Sequence, residues 1–389
     1  MRTEDFTKDA PGFLVGIQGE PDTVRAFVPH PIPQHLTLTS RIARLNEEAG
    51  ILLGEIRAKG DVLSPSVELY LRKEALASNK IEGTISTAKD LYLMEVSPAK
   101  ELSSSSQRDT REVLNYVNAM KSGVQLLRER PMSINTILKL HSILLANVRG
   151  HDKAPGIIRN HQNAIAFPSK PNLVDARFIP PPAQYVRDSM NDLEKFVHAE
   201  SEMPDLVRAA LFHYQFETIH PFSDGNGRLG RLLVPLLLIQ WGKLPQSLPR
   251  LYLSPNLAEK DEEYRERLLL VSQKGDWIGW IEFFLNVIID EGHRVCEKVL
   301  ELERLKEDYL SRILGDPGKL RAVVEKLFMN PVIGTKSIET AASVSPATAL
   351  NYAKRLIDRN ILIADTTEYR NVYYAPEIFR IFFEEHVEP

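Results

Sequence analysis

From Ser40 onward apolar residues recur at three- and four-residue spacing, the period of helices with one buried face. The pattern predicts helices in SRIARLNEEAGILLGEIRAKG and in SPSVELYLRKEALASNKIEG. The second has Ser64 as N-cap, Pro65 in its first turn and Gly83 just past its end. Further helices are predicted in TREVLNYVNAMKSGVQLLRER, SINTILKLHSILLAN, YVRDSMNDLEKFVHAE, DLVRAALFHYQFETI, LGRLLVPLLLIQWG and EKDEEYRERLLLVSQ, with a long one over 277–314. Pro235 removes one backbone hydrogen bond from its helix. Three stretches break the period. Residues 1–35 are Pro-rich and read as irregular, PAKELSSSSQRDT reads as a surface loop, and the segment up to Pro182 is too rich in Gly, Pro and Asn for helix. Within that last segment NAIAF and ARFI can pair as a short hairpin.

The last 70 or so residues change character. LRAVVEKLFMN, KSIETAASV and SPATALNYAKRLIDRN, followed by the alternating ILIADTTEYRNVYYAP, give three helices and a hairpin, the order of a winged helix-turn-helix. The fold expected is therefore mainly α, in three parts: an N-terminal helical region over 1–110, a central domain over 111–315 and a winged-helix domain over 316–389.

A length of 389 residues fits two or three domains. The net charge of −4 argues against a generally basic, nucleic-acid-coating surface and confines any DNA contact to a local patch. Cys296 is the only cysteine, so no internal disulfide forms, and a reducing, cytoplasmic setting is expected. MRTEDFTKDAPGF lacks the basic start and apolar core of a signal peptide and LLVPLLLIQW is too short to span a membrane, so neither secretion nor a membrane partner is expected.

The distinctive chemistry is concentrated in HPFSDGNGRLGR, residues 220–231. A Gly-Asn-Gly turn opening a helix gathers backbone N–H groups at the positive end of the helix dipole, a site for a diphosphate. Arg228 and Arg231, three apart, can reach further phosphate oxygens. Asp224 would repel phosphate unless a divalent cation bridged them, which points to Mg²⁺. His220 suits a general base acting on a hydroxyl, and Phe222 reads as a core anchor for the loop.

HPFSDGNGRLGR matches every position of the signature of the Fic family, and the chain resembles that family over roughly 60–315. Fic proteins typically transfer AMP from ATP to a protein Ser, Thr or Tyr hydroxyl and release pyrophosphate. The resemblance implies ATP as substrate and Mg²⁺ as cofactor. It implies His220 as the base, Asp224 as the metal ligand, and Gly225, Asn226, Gly227, Arg228 and Gly230 as nucleotide-binding, with Arg231 on the γ-phosphate. The hairpin near 163–180 looks like the family's flap, which clamps the target segment by strand pairing.

Glu82 is a second anomaly, a glutamate on the face that Val67, Leu71, Ala75 and Ser78 define. Either the helix end is exposed there or the carboxylate meets a cation. SNKIEG matches the inhibitory motif of the same family. That match implies that Ser78 and Glu82 form an inhibitory element and that Glu82 pairs with Arg231, taking the place of the γ-phosphate.

Alternatives remain beside autoinhibited AMP transfer: a DNA-binding regulator whose nucleotide site only senses ligand, another phosphoryl transfer, or AMP removal. SPATALNYAKRLIDRN reads as a recognition helix with Ser345 as cap and Lys354, Arg355 and Arg359 near its end, so DNA is kept as a partner, as is a second copy in a homodimer. His141 and His213 read as core histidines and Trp277 and Trp280 as core. Tyr264 is a candidate to approach the adenine.

Overall fold

The computed structural model describes residues 3–59, 66–96, 104–150, 152–165, 173–365 and 371–383. Strands β1 (Gly12–Gly16) and β2 (Arg25–Pro29) form an antiparallel hairpin. This overturns the reading of residues 1–35 as irregular. The strands are short, and Ala26, Phe27 and Val28 are all buried, so the alternation that marks a half-exposed strand is missing.

Helices α1 (Ser40–Ala58), α2 (Val67–Ile81), α3 (Ala88–Val96) and α4 (Ser104–Glu129) follow. Ser64 and Pro65 lie outside the described residues. Gly83 sits at φ +81°, and the Gly83 and Thr84 N–H groups donate to the carbonyls of Lys80 and Asn79 at 2.9 and 3.0 Å. This is the double bond of a Schellman stop, with Glu82 as the C-cap residue. α4 begins at Ser104, so the loop expected over 98–110 is helical in its second half and a boundary at 110/111 falls inside a helix. Serine costs only about 0.5 kcal/mol in a helix, and the buried face of Val113, Tyr116 and Val117 carries the helix back through it.

α5 (Ile134–Leu144), α6 (Ala183–His198), α7 (Asp205–Ile219) and α8 (Asn226–Gln240) complete the centre. α7 is buried on all sides along nearly its whole length, with α8 packed beside it. α8 keeps Pro235 inside one continuous helix. Ile165 and Phe178 form an isolated antiparallel bridge where a hairpin was expected, and the tip between them lies outside the described residues. α9 (Ser254–Glu259), α10 (Asp261–Lys274) and the long α11 (Trp277–Arg312) close the central part, and the Trp280 indole donates to the Ala210 carbonyl of α7 at 2.8 Å.

The C-terminal unit runs α12 (Lys319–Leu327), β3 (Val332–Gly334), α13 (Thr335–Ala342), α14 (Pro346–Asp358), β4 (Ile363–Ala364), β5 (Val372–Tyr374) and α15 (Pro376–Phe383), with strands in the order β3-β5-β4. Ser345 caps α14 by accepting from the Thr348 N–H. α15 was not foreseen. Its phenylalanines pack edge-to-face against earlier helices, Phe382 on Tyr70 of α2 at 4.7 Å and Phe379 on Tyr92 of α3 at 5.8 Å. One contiguous apolar core joins all these helices. No helix among the described residues is long and apolar enough to cross a membrane.

Candidate active site

The chain turns sharply between α7 and α8, and HPFSDGNGR forms that turn. His220 ends α7 in the left-handed region, φ 50° and ψ 60°, which a residue with a Cβ holds only when its surroundings enforce it. Arg159 enforces it. Its guanidinium donates to the carbonyls of His220 (2.8 Å), Ile219 (3.3 Å), Pro181 (2.6 Å) and His161 (2.9 Å), joining the end of α7 to the bridged segment. Asn226 closes the turn with a reciprocal pair: it accepts from the Phe222 N–H at 2.9 Å and donates to the Phe222 carbonyl at 2.8 Å. Phe222 is fully buried and stacks on His141 at 3.8 Å. His141 Nδ1 accepts from the Gly156 N–H at 2.8 Å, so Nε2 carries the proton and donates to the Asp224 carbonyl at 2.9 Å. The histidine read as core is thus also a loop support.

A cavity of about 580 Å³ opens at this turn. His220, Gly227 and Arg231 line it together with Glu82, Glu217 and Tyr264. His220 Nδ1 donates to the Glu217 carbonyl at 3.2 Å, because a carbonyl can only accept. That fixes the tautomer and leaves the Nε2 lone pair free. Burial and then the nearby Arg159 charge push the His220 pKa down to about 4.

Arg231 is 2% exposed and meets three acceptors from α2. Its Nε donates to Ser78 Oγ at 3.0 Å, and Nη2 donates to the Ser78 carbonyl at 2.9 Å and to Glu82 Oε1 at 2.8 Å. The Glu82 side chain is 32% exposed, on its cavity side. Burial opposes its charge, but Arg231, aided by Arg228 and Arg265, outweighs this and holds its pKa below the usual carboxylate value. A Cβ on Gly227 would collide with the Glu82 carboxylate, so this glycine makes room for the ion pair. Gly230 has the same relation to Glu217.

Other residues of the set stand elsewhere. Arg228 is buried, donating to Glu112 of α4 at 3.0 Å and to Asp224 at 3.2 Å, and neither Arg228 nor Asp224 lines the cavity. Asp224 Oδ1 also accepts from the Gly225 N–H at 2.6 Å. Gly225 takes φ +77° as the residue before α8. The Asn226 amide is occupied by the turn, which leaves its backbone for a ligand. His213 is buried beside the Tyr264 hydroxyl at 2.8 Å. Among the described residues no group of three His, Cys, Asp or Glu gathers as a metal site.

Glu217, Glu112, Arg159 and Arg265 escaped sequence reading. Arg265 donates to the Ile81 carbonyl at the end of α2 at 3.2 Å. Glu217, three residues before His220, had a signal that could have been read: a carboxylate between Phe212, Phe216 and Ile219 on a helix whose pattern predicts burial.

Residues 131–238 match the Fic/DOC family and residues 44–125 match the Fic/DOC family N-terminal region, so the two matches meet near the connection from α4 to α5. The chain is 33% identical over 120 residues to protein adenylyltransferase fic-1 of Caenorhabditis elegans, covering 30% of this chain and 21% of that protein. It is 38% identical over 69 residues to a probable protein adenylyltransferase of Aquifex aeolicus, covering 18% and 22%. The chain thus spans about a fifth of the length of these curated relatives. In three dimensions it is similar to a Fic family protein of Desulfovibrio desulfuricans, with TM-score 0.57 and 21% identity over 88% of this chain and 98% of that one. It is also similar to a fragment of Fic-1 of C. elegans, with TM-score 0.52 and 21% identity over 66% and 73%. The complete signature across the α7–α8 turn lies within the second of the two matched regions: the chain carries a Fic/DOC family N-terminal region over 44–125 and a Fic/DOC family domain over 131–238, on a helical fold similar to that of a solved Fic family protein.

Proposed function

We propose that this protein transfers AMP from ATP to a hydroxyl side chain of a target protein, or of itself, and that Glu82 holds the described state in check. The observation that carries this reading is one cavity lined by a histidine with a free Nε2, the first turn of a helix, and an arginine already bound to an anion. The Glu82 carboxylate stands in for the anion that Arg231 would hold in the active state, the γ-phosphate. Asn226 and Gly227 offer backbone N–H groups to the α- and β-phosphates, and Gly225, whose own N–H is taken by Asp224, supplies the left-handed turn that opens the helix. Gly230 contributes by admitting close packing, and Arg228 steadies Asp224.

In the transfer, His220 Nε2 takes the proton of the target hydroxyl while that oxygen attacks the α-phosphorus in line. The bond from the α-phosphorus to the bridging oxygen breaks and pyrophosphate leaves. Arg231 and the helix terminus stabilise the charge on the phosphates. Asp224 fits Mg²⁺: one of its oxygens is engaged by the loop and the other can serve as ligand, and Mg²⁺ bound with nucleotide takes one or two carboxylates plus phosphate oxygens. Mg²⁺ would neutralise phosphate charge there. Ile165 and Phe178, bridged to each other, line the cavity, and their segment is the one the target would pair with.

The domain division is best drawn with a helical N-terminal region bearing α2, a catalytic domain ending with α11 and a C-terminal winged-helix unit. The element order of that unit and its strand order support the winged-helix reading. DNA recognition has less support. Arg355 and Arg359 of α14 are tied to Asp316 at 2.7 and 2.6 Å, which leaves Lys354 as the exposed cation of the three.

Mass spectrometry of the Glu82→Gly protein incubated with ATP tests the activity. An AMP-sized adduct is expected on this protein or on lysate proteins, and it disappears when His220→Ala is added. An adduct that survives His220→Ala, or none in Glu82→Gly, overturns the reading.

A further inference from the structure

The contact between α2 and Arg231 is held from behind by a group that the transfer reaction does not use. Glu74, Ser78 and Glu82 follow one another at four-residue spacing, so all three lie along one side of α2. The last two hold Arg231. Glu74 is 1% exposed, and its carboxylate accepts three hydrogen bonds: from the Tyr116 hydroxyl of α4 at 2.7 Å, from the Ser254 N–H of α9 at 2.9 Å, and from the Ser254 hydroxyl at 2.5 Å. Among the described residues no Lys or Arg forms an ion pair with it.

Burying a carboxylate without a paired cation is expensive, and an apolar side chain would serve better if α2 needed only to pack. The burial is reflected in a Glu74 pKa raised above the ordinary value despite the Ser254 and Tyr116 bonds. What the carboxylate provides is direction. It bolts α2 to two separate elements, α4 and α9, one turn before Ser78. The three acceptors that meet Arg231 all come from this one helix, so a shift of α2 moves them together. Neither Glu74, Tyr116 nor Ser254 lines the cavity, so any effect of theirs on nucleotide acts through α2.

We propose that Glu74, bonded to Tyr116 and Ser254, is a positioning residue that sets how firmly Ser78 and Glu82 hold Arg231, and thereby the fraction of molecules able to accept the γ-phosphate of ATP. The inference rests on the AMP-transfer reading above. When only a fraction of molecules is competent to bind, the apparent affinity falls by that fraction, so loosening the bolt lowers the apparent KM for ATP.

The test uses the full chain with Glu74→Gln and, separately, Tyr116→Phe, each in the wild-type and Glu82→Gly backgrounds. AMP incorporation from labelled ATP is measured over a range of ATP concentrations, with thermal midpoints beside it. In the wild-type background each substitution is expected to raise incorporation at low ATP at least threefold, chiefly through KM. In the Glu82→Gly background each changes it less than twofold. A role confined to folding would lower the thermal midpoint and reduce incorporation in both backgrounds. That result overturns the proposal, as does an equal gain in both backgrounds or no gain from a folded Tyr116→Phe. Tyr116→Phe carries the test if Glu74→Gln does not fold. A Glu82→Gly protein that incorporates no AMP marks failure of the underlying activity instead, and the inference falls with it.

Discussion

His220 combines a strained backbone with a depressed pKa, and both follow from its neighbours. Arg159 pins its carbonyl and adds a positive charge beside its ring. With the pKa moved from 6.5 to about 4, the imidazole is neutral near physiological pH and Nε2 is a standing base. An NMR titration of the His220 ring is therefore predicted to give a midpoint near 4, and the transfer rate of Glu82→Gly to show no loss from His220 protonation between about pH 8 and 6. A midpoint at the ordinary value contradicts this. The sign for stability follows from the same shift. The unfolded chain takes up this proton at higher pH than the folded one, so the histidine's contribution is fully present above 6.5 and is lost as pH falls toward 4. At this scale the sequence was readable where residues are neighbours in the chain: the loop, its glycines and its arginines. The Arg231–Glu82 pair, 149 positions apart, was reached through family resemblance rather than from spacing. Asn226 shows the limit of reading by residue type, since its amide fastens the turn to Phe222. Glu112 lies 116 positions from its partner Arg228 and within no motif, and only the packing of α4 on α8 brings them together.

Helices α7 and α8 approach closely at Gly230. Gly230 faces the Glu217 carboxyl and the Phe216 ring. Glu217 is 8% exposed, and burial pushes its pKa up to about 7. Gly230→Ala gains about 1 kcal/mol of helix propensity but forces a methyl into that contact, where overpacking costs about 1–3 kcal/mol. Urea unfolding is predicted to show net destabilisation, recovered in large part when Glu217→Ala is added. Stabilisation by Gly230→Ala alone contradicts the packing described. Elements with long amphipathic periods, α1, α4 and α11, could be found from their pattern. The β1–β2 hairpin could not, because β2 is buried without alternation. The stop of α2 was readable because Gly83 has a specific backbone task, φ +81° in a Schellman motif, and that stop is what leaves Glu82 at the end of the helix facing α8.

Across the whole molecule, α2 is the element on which the other parts converge. α4 and α9 hold it through Glu74, α10 meets its last carbonyl through Arg265, and the C-terminal unit presses Phe382 of α15 on Tyr70. The sequence suggested an N-terminal helical region, a catalytic centre and a C-terminal module as separate parts, but gave no sign that α15 returns to α2, since its contacts lie hundreds of positions away in the chain. The proposed restraint is one contest, between Glu82 and the ATP γ-phosphate for Arg231. Initial rates of AMP incorporation by the wild-type and Glu82→Gly proteins, side by side at equal ATP, measure it most directly. A rate at least about tenfold higher is expected for Glu82→Gly. Equal rates from two active proteins would show that the Arg231–Glu82 pair does not restrain the site.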